Sequence, residues 1–114
     1  MVSEALPEET YEKINQELRR GILVLAVLSQ LHEASHGYAL LSRLAEHGLT
    51  IDQGTLYPLL RRLEGQGLLE SQWNTDGSRP RRYYQLSPTG RTVLQALSKD
   101  WQSLTEVMAR LLSL

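Results

Sequence analysis

Apolar residues recur along this chain every three or four positions, in blocks separated by short polar stretches rich in glycine, proline, serine and aspartate. In "YEKINQELRRGILVLAVLSQLHE", Ile14, Leu18, Ile22, Leu25 and Leu28 keep helical spacing and Val24 and Val27 widen the stripe, which predicts a long, mostly buried helix. The preceding "MVSEALPEETYEK" is polar and acidic without a sustained apolar face. Residues 1–10 are therefore expected to form a flexible acidic arm that turns helical near Thr10. "ASHGYALLSRLAEHG" predicts a short second helix, capped by Ser35, burying Tyr38, Leu41 and Leu44, and stopped by Gly48. A third helix follows in "LTIDQGTLYPLLRRLEGQG", with Asp52 as cap, Leu56, Leu59, Leu60 and Leu63 facing inward, and Gly65 and Gly67 closing it. Pro58 lacks an amide hydrogen, so it fits only near the start of that helix or at a kink.

The period then changes. "LLESQWN" and "RRYYQL" are short alternating or aromatic runs around Asp76-Gly77, a hairpin signal, and predict a two-stranded antiparallel ribbon. Tyr83 and Tyr84 must point to opposite faces of their strand; Tyr84, in phase with Leu86, is the core residue and Tyr83 the free one. Trp73 reads as cross-strand packing. The last segment, "SPTGRTVLQALSKDWQSLTEVMARLLSL", starts with Ser87 as cap and Pro88 at the first helical position. Its apolar residues Leu94, Leu97, Trp101, Leu104, Met108 and Leu111 alternate spacings of three and four, the signature of a coiled-coil seam and hence of dimerisation.

This order predicts a mainly α protein with a two-stranded β-wing: a winged helix-turn-helix over residues 11–86 and a C-terminal dimerisation helix over residues 87–114. At 114 residues one domain is expected. No run resembles a signal peptide or a membrane span, and the absence of cysteine excludes disulfides and thiolate chemistry and fits a reducing, cytoplasmic location.

Charge sharpens the picture. The formal net charge of -1 hides a division: residues 1–60 carry four Lys/Arg against eight Asp/Glu, whereas residues 61–91 carry six Arg against three acidic side chains. Ten of the twelve cations are arginine, whose planar fork grips phosphates and guanine edges. Arg79, Arg81 and Arg82 on the wing would repel one another less beside a polyanion, and Asp76-Gly77 supplies the turn that projects them. On the third helix, Gln53, Thr55 and Tyr57 carry donors and acceptors suited to base edges or phosphates, with Arg61 and Arg62 behind them. Tyr83 is a further candidate for backbone contact. Thr55 could also serve as a cap, and Arg61 and Arg62 as solvated residues of an amphipathic helix, one of them paired with Glu64 or Glu70.

Other chemistry is poorly represented. "HEASH" (His32 to His36) fits the zinc-protease pattern H-E-x-x-H, which needs both imidazoles on one face of a continuous helix and a third ligand. Here the second histidine abuts Gly37 at the start of another helix, so no metal site, no cofactor and no catalytic activity is expected.

Three motifs in order, "LRRGILVLAVLSQLHEASHGYALLSRL", "GTLYPLLRRLEGQGLLES" and "RPRRYYQLSPTGR", resemble the successive signatures of PadR-type transcriptional regulators, and with the terminal helix the resemblance spans nearly the whole chain. The single C-terminal helix is similar to the compact branch of that family. The resemblance implies a dimeric repressor of an approximately palindromic DNA operator, often relieved by a small molecule. It places the DNA-facing helix on Gln53 to Arg62 and the wing on Asn74 to Arg82. Trp101 stays open to two readings, dimer core or the lining of a cavity that stacks a planar aromatic effector. The rival function is a winged-helix module for protein-protein contact, which would not need arginines concentrated on the third helix and the wing.

Overall fold

The computed structural model describes residues 5–113 and contains, in order, α1 (Glu8–Ser29), β1 (Ser35–His36), α2 (Gly37–Glu46), α3 (Gln53–Gly65), β2 (Leu69–Asn74), β3 (Arg81–Leu86) and α4 (Pro88–Leu112). Residues 1–4 of the expected arm lie outside the described residues. Within the rest of it, the helix starts at Glu8, ahead of Thr10, with two glutamates in its first turn, where carboxylates favour the helix dipole. No helix among the described residues is long and apolar enough to cross a membrane.

The core is almost entirely leucine. Val27, Leu28 and Leu31 from the end of α1 meet Leu40 and Leu44 of α2, Leu56, Leu59, Leu60 and Leu63 of α3, then Leu69, Tyr84, Leu86 and Leu94. All four inward leucines expected on α3 are buried. Two expectations fail. Tyr38 is 64% exposed because α2 turns Gly37, Leu40 and Leu44 inward instead. The first helix is buried only near its C-terminal end, with Ile14 58% and Leu18 67% exposed.

Capping explains where the elements stop and start. Asp52 accepts the Thr55 amide (2.7 Å), and Ser87 accepts the Gly90 amide (2.9 Å), as the sequence suggested. The cap of α2 is His36, whose Nδ1 faces the Ala39 amide at 3.2 Å, and not Ser35. Ser35 is buried in β1 and unavailable. After α2 and α3 the chain reverses through Gly48 (φ +95°) and Gly67 (φ +80°), left-handed positions that let the Leu49 and Leu68 amides donate back to Leu44 and Leu63.

The wing belongs to a three-stranded antiparallel sheet in the order β1-β3-β2, rather than a two-stranded ribbon. Ser35 and His36 pair with Tyr84 and Tyr83. β2 and β3 are joined by residues 75–80, a loop longer than a two-residue turn, in which the Asn74 side chain accepts the Asp76 amide (2.8 Å) and Gly77 adopts φ +138°. The start of α4 is locked to this body. Gly90 lies so close to the Leu68 carbonyl that a Cβ there would collide with it, and Arg91 and Gln85 both donate to the His32 carbonyl (3.1 Å each). From Trp101 onward α4 runs free of the body, giving a molecule 62 Å long and 24 Å across its thinnest direction.

Candidate nucleic-acid interface

Helix α3 presents its first turn to solvent because Asp52 caps it from outside while its leucines hold the opposite side. Gln53, Thr55, Arg61 and Arg62 are exposed. Tyr57 is half-buried: its ring lies over Gly37 at the start of α2, where a Cβ would come within 2.6–2.7 Å of Cε1, Cζ and Oη. A glycine at 37 is thus a condition for seating this ring between the two helices.

An open cleft of about 700 Å³ runs between α3 and the wing. Gln53, Tyr57 and Arg61 form one wall, Arg79, Arg81 and Arg82 the other, and His36 and Tyr38 close the end at α2. The structure therefore brings together six of the nine residues expected to meet DNA. Thr55 faces a separate cleft toward α1, Arg62 is exposed on α3 outside the cleft, and Tyr83 lines a neighbouring hollow at the wing loop with Arg79 and Arg81, its ring edge-on to His36 (5.3 Å, 86°).

The three wing arginines differ in their engagements. Arg79 is exposed at the loop, with no carboxylate partner among the described residues. Arg81 places Nη1 2.7 Å from Nε2 of His36. Arg82 is committed: Nη2 donates to Glu64 Oε1 of α3 (2.9 Å), Nε donates to Ser71 Oγ of β2 (2.8 Å), and Ser71 donates onward to Glu64 Oε2. Its guanidinium also stacks over Trp73 and Tyr84, 5.9 and 5.6 Å from the ring centroids. Arg82, expected from sequence among the DNA-contacting arginines of the wing, is paired with Glu64. It braces the wing against α3. Trp73, opposite Arg82 in the strand register, is 65% exposed and stacks against this guanidinium, the cross-strand packing expected from sequence.

His36 carries a conflict of its own. A neutral imidazole has one bare nitrogen, so it can accept from the Ala39 amide or from Arg81, and a second proton would end both contacts. Burial, then the positive charges of Arg81 and Arg43, push its pKa below the usual histidine value. Burial raises the Tyr84 phenol, with Arg82 pulling the other way. His36, Tyr38, Glu64 and Trp73 all touch the cleft or its brace and are missed by sequence reasoning, because their roles depend on the β1-β3 pairing and the β2-β3 register.

The HEASH segment runs from the turn after α1, which holds His32, into β1, which holds His36, and no group of three His, Asp or Glu able to hold a metal occurs among the described residues.

This arrangement matches known proteins over most of its length. Residues 24–96 fit the family model of the transcriptional regulator PadR-like family. A transcriptional regulator of Mycobacterium tuberculosis, Rv3488, is 37% identical over 98 residues, covering 85% of this chain and 89% of the relative. A PadR family transcriptional regulator from Eggerthella lenta superposes with a TM-score of 0.83 at 48% identity, covering 92% of this chain and 94% of that one. A PadR-like regulator from Bacillus cereus gives 0.74 at 27% identity, covering 84% and 96%. With its helix-turn-helix, its wing and its single long C-terminal helix, the chain belongs to the PadR-like family of transcriptional regulators.

Proposed function

We propose that the protein is a dimeric, sequence-specific DNA-binding repressor, released from its operator by a small-molecule effector. The observation that carries the DNA-binding part is the cleft in which Arg61, Arg79 and Arg81 converge on the exposed turn of α3 without a carboxylate partner among the described residues. Cations held this close without counter-charge find it in a phosphate backbone. Gln53 and Arg61 are assigned to base edges in the major groove, Arg79 and Arg81 to phosphates, Arg62 and Tyr83 to flanking backbone, and Tyr57 to seating α3 with its hydroxyl toward the groove.

Dimerisation is supported by the apolar faces left open. Leu104, Met108 and Leu111 are 46–57% exposed along α4, and Tyr11, Ile14 and Leu18 are likewise exposed on α1. A second copy covers such a stripe, and two half-sites would then lie one helical turn, about 10 to 10.5 base pairs, or a multiple of it apart. Trp101, on the same stripe, is 42% exposed, which leaves it free for its partner copy in the dimer core or for a planar aromatic effector between the two copies.

Duplexes selected by the protein from a random pool test the reading. Affinity is expected to fall steeply with salt, each phosphate contact adding about 0.9 to the slope of log affinity against log salt. A protein-contact module would select no duplex and show no such slope.

A further inference from the structure

The exposed first turn of α3 has a second basic flank. On the side away from the wing, α1 and the segment leading into α3 enclose an open cleft of about 650 Å³. Gln16, Arg19 and Arg20 of α1 line one wall, and Thr50, Asp52 and Thr55 the other. Arg19 is steered toward the turn by a long contact from Nη2 to the Thr50 carbonyl (3.5 Å), and Arg20 is exposed with no carboxylate partner among the described residues. Asp52 is the one carboxylate in this wall, and its Oδ1 is occupied as the cap of α3 by the Thr55 amide.

We infer that Arg19 and Arg20 grip the DNA backbone on the side of the major groove opposite the wing. The inference rests on the DNA-binding reading above. Gln53 faces the wing-side cleft while its neighbours Asp52 and Thr55 face this one, so the turn of α3 stands between two clefts, each lined by arginines. A major groove about 12 Å wide is bordered by a phosphate backbone on each side. A helix end inserted there meets both backbones, and both flanks of α3 carry the matching charge.

The rest of α1 leaves this face free. At 3.6 residues per turn, Gln16, Arg20 and Leu23 lie across the helix from Leu18, with Arg19 between the two sides. A partner copy covering the exposed Tyr11, Ile14 and Leu18 therefore does not cover the arginines. Leu23 and Ile51, both half-buried, form an apolar floor against which the guanidinium stems can lie.

The test uses the full chain and a duplex selected from a random pool by the wild-type protein, carrying single neutral methylphosphonates at successive positions on each strand. In the wild type, neutral linkages are expected to weaken binding on both backbones flanking each half-site. Arg19→Gln with Arg20→Gln should abolish that sensitivity on one backbone only, lower affinity about tenfold or more, and reduce the salt slope by up to about 3.6, two contacts in each of the two half-sites. Arg79→Gln with Arg81→Gln should erase the sensitivity of the other backbone. If the α1 double variant keeps the wild-type pattern and slope, or loses affinity with its slope unchanged, the inference falls while DNA binding stands. A changed sedimentation coefficient in that variant, with the DNA pattern intact, would reassign the arginines to the dimer contact. Failure of the wild type to select any duplex would bring down the DNA-binding reading itself.

Discussion

The winged-helix body and the outer half of α4 are written in the same apolar code and end in opposite states. Along α3, Leu56, Leu59, Leu60 and Leu63 recur at helical spacing and are at most 9% exposed. Along α4, Leu94, Leu97, Trp101, Leu104, Met108 and Leu111 recur just as regularly, yet burial is complete only at Leu94 and lost by Trp101. Periodicity defines a face; it does not say what covers it. The body closes its own faces because short connections fold α2, α3 and the sheet back on the end of α1. Among the described residues, the outer half of α4 is left uncovered, as is the start of α1.

The comparison is broken most severely by a change inside the body. Leu60→Ala is expected to cost about 2–5 kcal/mol, since Leu60 is wholly buried among other leucines that cannot collapse into the space. Urea unfolding should show this loss at every protein concentration. Leu104→Glu with Met108→Glu touches only the outer stripe. Its expected effect is conversion to monomer by sedimentation, with loss of the concentration dependence of stability. Should the Glu variant destabilise the protein as much as Leu60→Ala even at high dilution, the outer helix would be part of the body after all.

Much of this was legible in the residues. The order of the four helices and the hairpin, the leucine face of α3, the Asp52 and Ser87 caps and the inward Tyr84 all follow from spacing and local hydrogen-bond chemistry. The misreadings have a common physical root: each depended on a contact between segments distant in sequence. A two-residue strand has no period to detect, so β1 surfaced only through its pairing with Tyr83 and Tyr84, and with it Ser35 passed from cap to strand. In the candidate site the alternation that separates Tyr83 from Tyr84 also separates Arg81 from Arg82. It puts Arg82 on the Tyr84 face, but nothing local reveals that Glu64, eighteen positions earlier, waits across from it.

Arg81 and Arg82 give a finer version of the contrast between satisfied and open groups. Arg82→Gln is expected to loosen the wing and lower stability by about 1 kcal/mol, the upper range for partly exposed pairs, and to weaken DNA binding with the salt slope unchanged. Arg81→Gln should leave unfolding nearly untouched and lower the slope by about 1.8, one contact in each of the two half-sites. Glu64→Gln should reproduce the Arg82 result, because it removes the other end of the same brace. A reduced slope in Arg82→Gln would return that residue to the phosphate ligands.

The smallest expected effect lies at His36, where body and interface meet. Its folded pKa is depressed by burial and by Arg81 and Arg43, so the folded state resists a proton that the unfolded chain accepts near the ordinary value of about 6.5. Above that value both states hold a neutral ring and the contribution of His36 is constant. As pH falls from about 6.5 toward the lower folded value, the unfolded state binds more protons and stability declines; below both values the loss is complete. His36→Asn keeps a side chain able to cap α2 but cannot titrate. The stability gap between wild type and His36→Asn, measured by urea unfolding at pH 7.5 and again at pH 5.5, should shift in favour of the variant at the lower pH. Parallel curves would mean that the ring escapes Arg81 and Ala39 in solution, and that the end of the cleft at α2 is open rather than held by His36.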